Sequence, residues 1–188
     1  MGVINPSAPE GKSVAYARPE RERRFLLERP PEGDVVKTAE IADRYLLGTR
    51  LRVRRTVERT ASGARTIYKL TQKIPRPDGG PGLITTIYID PREWAALRSL
   101  PGTDVEKTRL SVPPYGVDVF RGPLQGLVLA EVEFGTDEEM VAFVPTIPVV
   151  VEVTTDGRFA GARLATPTAD EIAADLSAFG VRLGSSSA

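Results

Sequence analysis

Glu20-Arg21-Glu22-Arg23-Arg24-Phe25-Leu26-Leu27 is a charged run that ends in three apolar residues. Side chains alternate faces along a strand. As a strand, this run places Glu20, Glu22 and Arg24 on one face and Arg21, Arg23 and Phe25 on the other, which makes Arg21 and Arg23 surface residues. The pattern recurs downstream with Arg52 and Arg54, Lys69 and Lys73, Lys107 and Arg109, and Glu131 and Glu133. The opposite faces are apolar: Leu51 and Val53, Tyr68 and Leu70, Val117 and Val119 around Asp118, Ala130 and Val132 around Glu131, and Val151 and Val153 around Glu152. A closed sheet with the charged faces turned inward encloses a wet channel. Its cations could hold a polyanion and its carboxylates a metal.

Turn-forming clusters divide the chain. They are Pro30-Pro31-Glu32-Gly33, Ser62-Gly63, Pro75 through Gly82, Pro113-Pro114 and Gly122-Pro123. Between them lie strand-like segments at 20–27, 41–47, 50–57, 65–73, 83–89, 104–110, 115–120 and 127–134, with another at 149–155. Three helices are predicted from caps followed by an acidic first turn: Asp90-Pro91-Arg92-Glu93, Thr136-Asp137-Glu138-Glu139 and Thr168-Ala169-Asp170-Glu171. Trp94 follows the first cap and is predicted to pack that helix on the sheet. Many short-spaced strands with few helices predict an α+β fold built on an antiparallel barrel or strongly curled sheet. Residues 1–18 read as a flexible N-terminal arm, 19–180 as one domain and 181–188 as a flexible tail. Pro75 to Gly82 reads as a solvent loop or a lid.

Composition removes whole classes of chemistry. The 188 residues include no Cys and no His, which excludes thiol nucleophiles, imidazole acid–base catalysis and zinc sites built on those side chains. A metal would have oxygen ligands only, which favours Mg²⁺, Mn²⁺ or Ca²⁺. Formal net charge is zero, so the chain has no general attraction to nucleic acid or membrane. No apolar run approaches ~18 residues, and the opening residues lack a signal-peptide pattern. A cytoplasmic location is the expectation.

A charged face can simply be the solvated side of an antiparallel sheet. Sorting by sign argues otherwise. Two strands carry paired cations, one carries paired acids, and the first carries both. Glu at i and i+2 sets two carboxylates roughly 7 Å apart along a strand, close enough to share a metal. Arg at i and i+2 offers two planar forks to phosphate oxygens.

With these motifs in order, the sequence resembles the CYTH, or triphosphate tunnel metalloenzyme, family over about residues 19–178. The E-x-E-x-K/R hallmark is matched by Glu20, Glu22 and Arg24. R-x-R is Arg52 and Arg54, T-x-K is Thr71 and Lys73, and K-x-R is Lys107 and Arg109. Asp118-Val119-Phe120, Glu131 through Phe134 and Glu152-Val153-Thr154 follow, then Asp156, Arg158 and Phe159. The resemblance implies an eight-stranded antiparallel β-barrel, the tunnel, with a few external helices. It implies that Arg24, Arg52, Arg54, Lys73, Lys107, Arg109 and Arg158 bind phosphate oxygens. Asp118, Glu131 and Glu133 would anchor Mg²⁺ or Mn²⁺, and Glu20 and Glu22 would serve a second metal that positions water. Lys69 and Glu152 would complete the lining.

The implied reaction is in-line displacement at a terminal phosphorus, driven by positioning and charge neutralisation. The implied partner is a small-molecule triphosphate or short polyphosphate, with no specific nucleic acid, and a homodimer is possible by family habit. The chain also departs from the family. Ile84 and Thr86 stand where many members carry E-x-E, Gly116 where some carry Glu, and Val151 where several have a second Glu. The tunnel is expected to be more positive as a result. That leaves two alternatives to a metal-dependent triphosphatase: a polyphosphate- or nucleotide-binding module without turnover, and a class IV adenylate cyclase.

Overall fold

A computed structural model describes residues 16–33, 35–60, 63–75, 81–166 and 168–181. Most of the expected arm, the centre of the Pro75–Gly82 connection and nearly all of the expected tail lie outside the described residues. The strands are β1 Arg18–Pro19, β2 Glu22–Leu27, β3 Lys37–Leu46, β4 Leu51–Thr60, β5 Gly63–Ile74, β6 Leu83–Tyr88, β7 Gly102–Val112, β8 Tyr115–Phe120, β9 Val128–Glu133 and β10 Val151–Glu152. The helices are α1 Pro91–Arg98, α2 Asp137–Ala142, α3 Gly161–Leu164 and α4 Ala169–Ser177.

All ladders are antiparallel and join the strands into one sheet in the order β1-β6-β5-β4-β3-β7-β8-β9-β2-β10. The fold is α+β. The sheet has ten strands and its order is open, with β1 and β10 at the ends, so the closed eight-stranded barrel of the sequence reading is not what the ladders form. Its flanks nevertheless meet through the N-terminal segment. Only Glu20 and Arg21 separate β1, paired with β6, from β2, paired with β9. The Glu20 amide donates to the Gly82 carbonyl at 2.8 Å, and the Phe134 amide donates to the Arg21 carbonyl at 2.9 Å.

Local chemistry explains most element boundaries. Asp90 accepts from the amides of Arg92 and Glu93, and Glu93 returns a carboxylate to the Asp90 amide. Thr136 with Glu139 and Thr168 with Glu171 repeat this capping box on α2 and α4. Trp94 packs its ring against Tyr68, with centroids 5.3 Å apart. β3 begins at Lys37, before the predicted 41, because β4 and β7 pair it from both sides. That pairing outweighs the weak strand propensity of Lys37 through Glu40. β10 keeps only Val151 and Glu152 of the predicted 149–155.

Two apolar layers position the charged face. Phe25, Leu27, Tyr115, Val117, Val128, Ala130 and Val132 pack beneath Phe134, Phe143 and Ile147 on one side of the sheet. The other side changes character along its strands. Leu26, Val105, Phe120 and Leu129 share faces with Arg24, Lys107, Asp118 and Glu131, yet they are buried with Phe159, Leu164, Ile172 and Leu176. Helices α3 and α4 therefore cover the apolar end of the charged face, where the sequence reading set helices only outside. Each fully buried Leu or Ile in this layer contributes about 1.5–3 kcal/mol.

Candidate functional site

β4 turns Arg52 and Arg54 toward Asp43 of β3, the cross-strand partner of Arg54. Asp43 is 2% exposed. Arg54 grips it with both teeth of its fork, Nε to Oδ1 and Nη2 to Oδ2, each at 2.6 Å. Burial alone pushes the Asp43 carboxyl up. The Arg54 and Arg52 guanidiniums outweigh it and hold the group well below the usual carboxylate range. Arg52 lies 3.5 Å from the same carboxylate, and its Nε is buried without a hydrogen-bond partner. Beside it, burial and the Asp43 charge push the Tyr45 phenol up to about 12. The sequence reading missed Asp43. It shares a strand face with Ala39, Ile41 and Tyr45, and only its register opposite Arg54 marks it.

Lys107 and Arg109 project from β7 onto Asp118 of β8, whose side chain is fully buried. Lys107 donates to Asp118 Oδ2. Arg109 donates to Oδ1 and Oδ2 at 2.7 Å each and also reaches Glu131 of β9. Burial pulls the Lys107 ammonium below its ordinary range despite Asp118. Burial would raise the Glu131 carboxyl, but Arg109 and then Lys107 reverse that and hold it well below the usual range. Gly116 leaves room for this arrangement, because a Cβ there would stand 3.3 Å from Arg109 Cδ.

β2 adds Glu22 and Arg24, across the ladder from Glu133 and Glu131. Arg24 donates to the carbonyls of Phe159 at 2.6 Å and Thr154 at 3.1 Å. Its Nε is buried without a hydrogen-bond partner, 3.4 Å from Glu22. Burial, then the Glu131 charge, raises the Glu22 carboxyl, with Glu20 adding to the effect. Lys73 pairs with Glu20. Lys69 lies over the Tyr88 ring, 5.2 Å from its centroid. Ile84 opposes Lys73, and Thr86 opposes Thr71, their hydroxyls 3.1 Å apart.

Two expected lining residues lie elsewhere. Glu152 opposes Phe25 in the β10–β2 ladder, so it belongs to the other face of the sheet, where Arg23 holds it at 2.9 and 2.6 Å. Arg158 is clamped by Asp156 at 2.7 Å and by Asp175 at 3.2 Å, above the rings of Phe159 and Phe179. Arg21 and Arg23 do face away from the charged side, but they are not idle surface groups. Arg21 binds Asp137, and Arg23 donates to the Met140 and Phe143 carbonyls.

A cavity of about 390 Å³ opens on the charged face, lined by Arg54, Lys69, Arg109, Glu131 and Glu133, with Lys37, Glu58 and Ser111 also in its wall. It has room for about a dozen waters. Among the described residues no three acidic groups form a ready-made metal centre. The donor chemistry of Glu20, Glu22, Glu131 and Glu133 fits a hard divalent cation, and the Glu22 carboxyl, raised first by burial and then by the Glu131 charge, is one whose ionised form such a cation would favour. Asp118 fits less well, because Lys107 and Arg109 already occupy it from three directions.

No protein-family model and no curated protein matches the chain. Solved structures do. The crystal structure of the hypothetical protein NE1496 is 28% identical over 79% of this chain and 99% of its own, with a TM-score of 0.50. A structure of the same protein, described as the inorganic triphosphatase NE1496, is 28% identical over 78% and 93%, with a TM-score of 0.49. The PH1819 protein from Pyrococcus horikoshii OT3 is 17% identical over 65% of this chain and 82% of its own, with a TM-score of 0.40. Among the described residues no helix is long and apolar enough to cross a membrane.

Proposed function

We propose that this protein binds the phosphate chain of a small triphosphate on the charged face and hydrolyses it, with inorganic tripolyphosphate the favoured substrate. One observation carries the reading. Arg24 and Arg52, both from the charged strand faces, each keep a buried Nε that makes no hydrogen bond and only a long ion contact, 3.4 Å to Glu22 and 3.5 Å to Asp43. Buried donors rarely stay unpaired, and phosphate oxygens suit a guanidinium. NE1496, which shares the fold at a TM-score of 0.50, is described as an inorganic triphosphatase. The motif resemblance to triphosphate tunnel metalloenzymes points the same way.

In this reading Arg24, Arg52, Arg54, Lys69, Lys73 and Arg109 orient the phosphate chain and neutralise its charge. Asp118 holds Lys107 and Arg109 in place. Glu20, Glu22, Glu131 and Glu133 would hold Mg²⁺ or Mn²⁺, which when bound supplies charge neutralisation on the phosphates and the leaving group. Glu22, with its raised carboxyl, is the group to orient the attacking water. Among the described residues Tyr115 is the sole aromatic one in the cavity lining, and it is 2% exposed with its hydroxyl bonded to Thr146. That disfavours a nucleobase platform and hence a cyclase.

A second reading has its own support. The acids of the charged face already have cation partners at Asp43, Asp118, Glu131 and Glu20, as suits a binding module without turnover. Phosphate release from tripolyphosphate, ATP and thiamine triphosphate, each with Mg²⁺, Mn²⁺ or chelator and with cyclic AMP assayed alongside, separates them. Metal-dependent orthophosphate release from tripolyphosphate is the expected result. Thermal stabilisation by tripolyphosphate without release supports the binding module. Cyclic AMP from ATP supports the cyclase.

A further inference from the structure

Lys37 and Glu58 lie in the wall of the cavity, although no motif of the sequence includes them. Both belong to the charged faces: Lys37 shares its face with Ala39, Ile41 and Asp43 on β3, and Glu58 with Arg54 and Thr56 on β4. Their side chains are 41% and 25% exposed and form an ion pair at 2.8 Å. Arg109 opposes Ala39 in the β3–β7 ladder, and Lys37 opposes Ser111. Lys37 therefore stands one step of the face, about 7 Å, beyond the level of Arg109, on the side away from Asp43 and Tyr45.

We infer that Lys37 and Glu58 form a latch at the cavity entrance that sets how long a polyphosphate the site accepts. The inference rests on the triphosphate reading above. A triphosphate engaged by Arg54, Lys69 and Arg109 leaves the latch closed, with Glu58 holding Lys37. The fourth phosphate of a longer linear chain extends past Arg109 and takes the Lys37 ammonium in place of Glu58. Glu58 then stands as an uncompensated carboxylate beside the incoming anion and penalises each longer chain. The chemical class selected is a linear polyphosphate of limited length, and the residue that limits it is Glu58.

Calorimetric titration of the folded protein with tripolyphosphate and tetrapolyphosphate, at fixed ionic strength, tests this in wild type, Lys37→Met and Glu58→Gln. Both residues are partly exposed, and melting temperature checks that the variants fold. Glu58→Gln should tighten tetrapolyphosphate binding by about fivefold, and Lys37→Met should weaken it by about the same factor, the size of a partly exposed ion pair. Tripolyphosphate should stay within about twofold of wild type in both. If wild type binds tripolyphosphate and the variants leave the ratio of the two affinities unchanged, the latch is overturned alone. If wild type binds neither anion, the triphosphate reading falls and the latch falls with it.

Discussion

The two flanks of the charged face solve the same electrostatic problem differently. On β3, β4, β7 and β8, each buried acid is met by a bidentate Arg: Asp43 by Arg54, and Asp118 by Arg109 with Lys107 behind it. On β5 and β6 the lysines stand opposite Ile84 and Tyr88, and Thr86 stands opposite Thr71. Lys73 is 45% exposed and finds its partner, Glu20, in the link between β1 and β2 instead. Buried cations need fixed counter-charges, because leaving one unpaired in low dielectric is costly. Exposed ones do not, and water keeps them available to an incoming anion. The first flank is built for position, and in the proposed triphosphate reading the second is the one that captures.

Removing a counter-charge from the fixed flank should have the largest effect. Asp118→Ala strands Lys107 and Arg109 in a buried setting and is expected to cost about 3–5 kcal/mol, read by chemical denaturation. A loss below ~1 kcal/mol, the level of a surface pair, would erase the contrast between the flanks. Glu131→Gln with Glu133→Gln should abolish Mg²⁺-dependent phosphate release while the protein still unfolds cooperatively. Activity surviving in that double variant removes both residues from the metal site.

Arg52→Ala should weaken tripolyphosphate binding by about tenfold or more, the value of one charge-assisted hydrogen bond, with unchanged affinity placing Arg52 outside the site. Restoring acids to the capture flank, Ile84→Glu with Thr86→Glu, should weaken metal-free tripolyphosphate binding by a smaller factor and tighten Mn²⁺ binding. If metal affinity does not respond, the missing acids are not what distinguishes this flank.

Acidity gives a further comparison within the face. Glu131 is held low when folded, so its ion pairs stabilise the fold above the unfolded carboxyl range and are lost only as pH falls through the depressed value. Glu22 is raised, so its ionised form disfavours the fold at neutral pH and its protonation on acidification favours it. Glu22→Gln should therefore raise the melting temperature slightly at neutral pH, with the gain fading toward about pH 4. Glu131→Gln should lower it at neutral pH, and that loss should persist through the same range.

Alternation along β2, β4, β7 and β9 was legible from the residues, because charge at i and i+2 survives any register. So were the three capping boxes, whose partners lie three positions apart. What could not be read were roles set by cross-strand register. Asp43 sits among Ala39, Ile41 and Tyr45 and gains its meaning from Arg54 opposite. Glu152 was read as lining from its motif, but pairing with Phe25 puts it on the outer side with Arg23. Arg158 was read as a phosphate ligand, yet α4 brings Asp175 to it from the far end of the chain. The covering of the apolar end by α3 and α4 was hidden too, because Leu26 and Leu129 look like ordinary strand residues until the helices arrive.

The splice between β1 and β2 also sets the order of assembly. Local hairpins such as β4–β5 and β7–β8 can close as soon as their strands exist. The β1–β2 segment must wait for β9, and its Arg24 guanidinium bonds a carbonyl 135 positions later. Such distant closures dominate folding time. The two flanks of the charged face are thus joined only when the β1–β2 segment has found both β6 and β9.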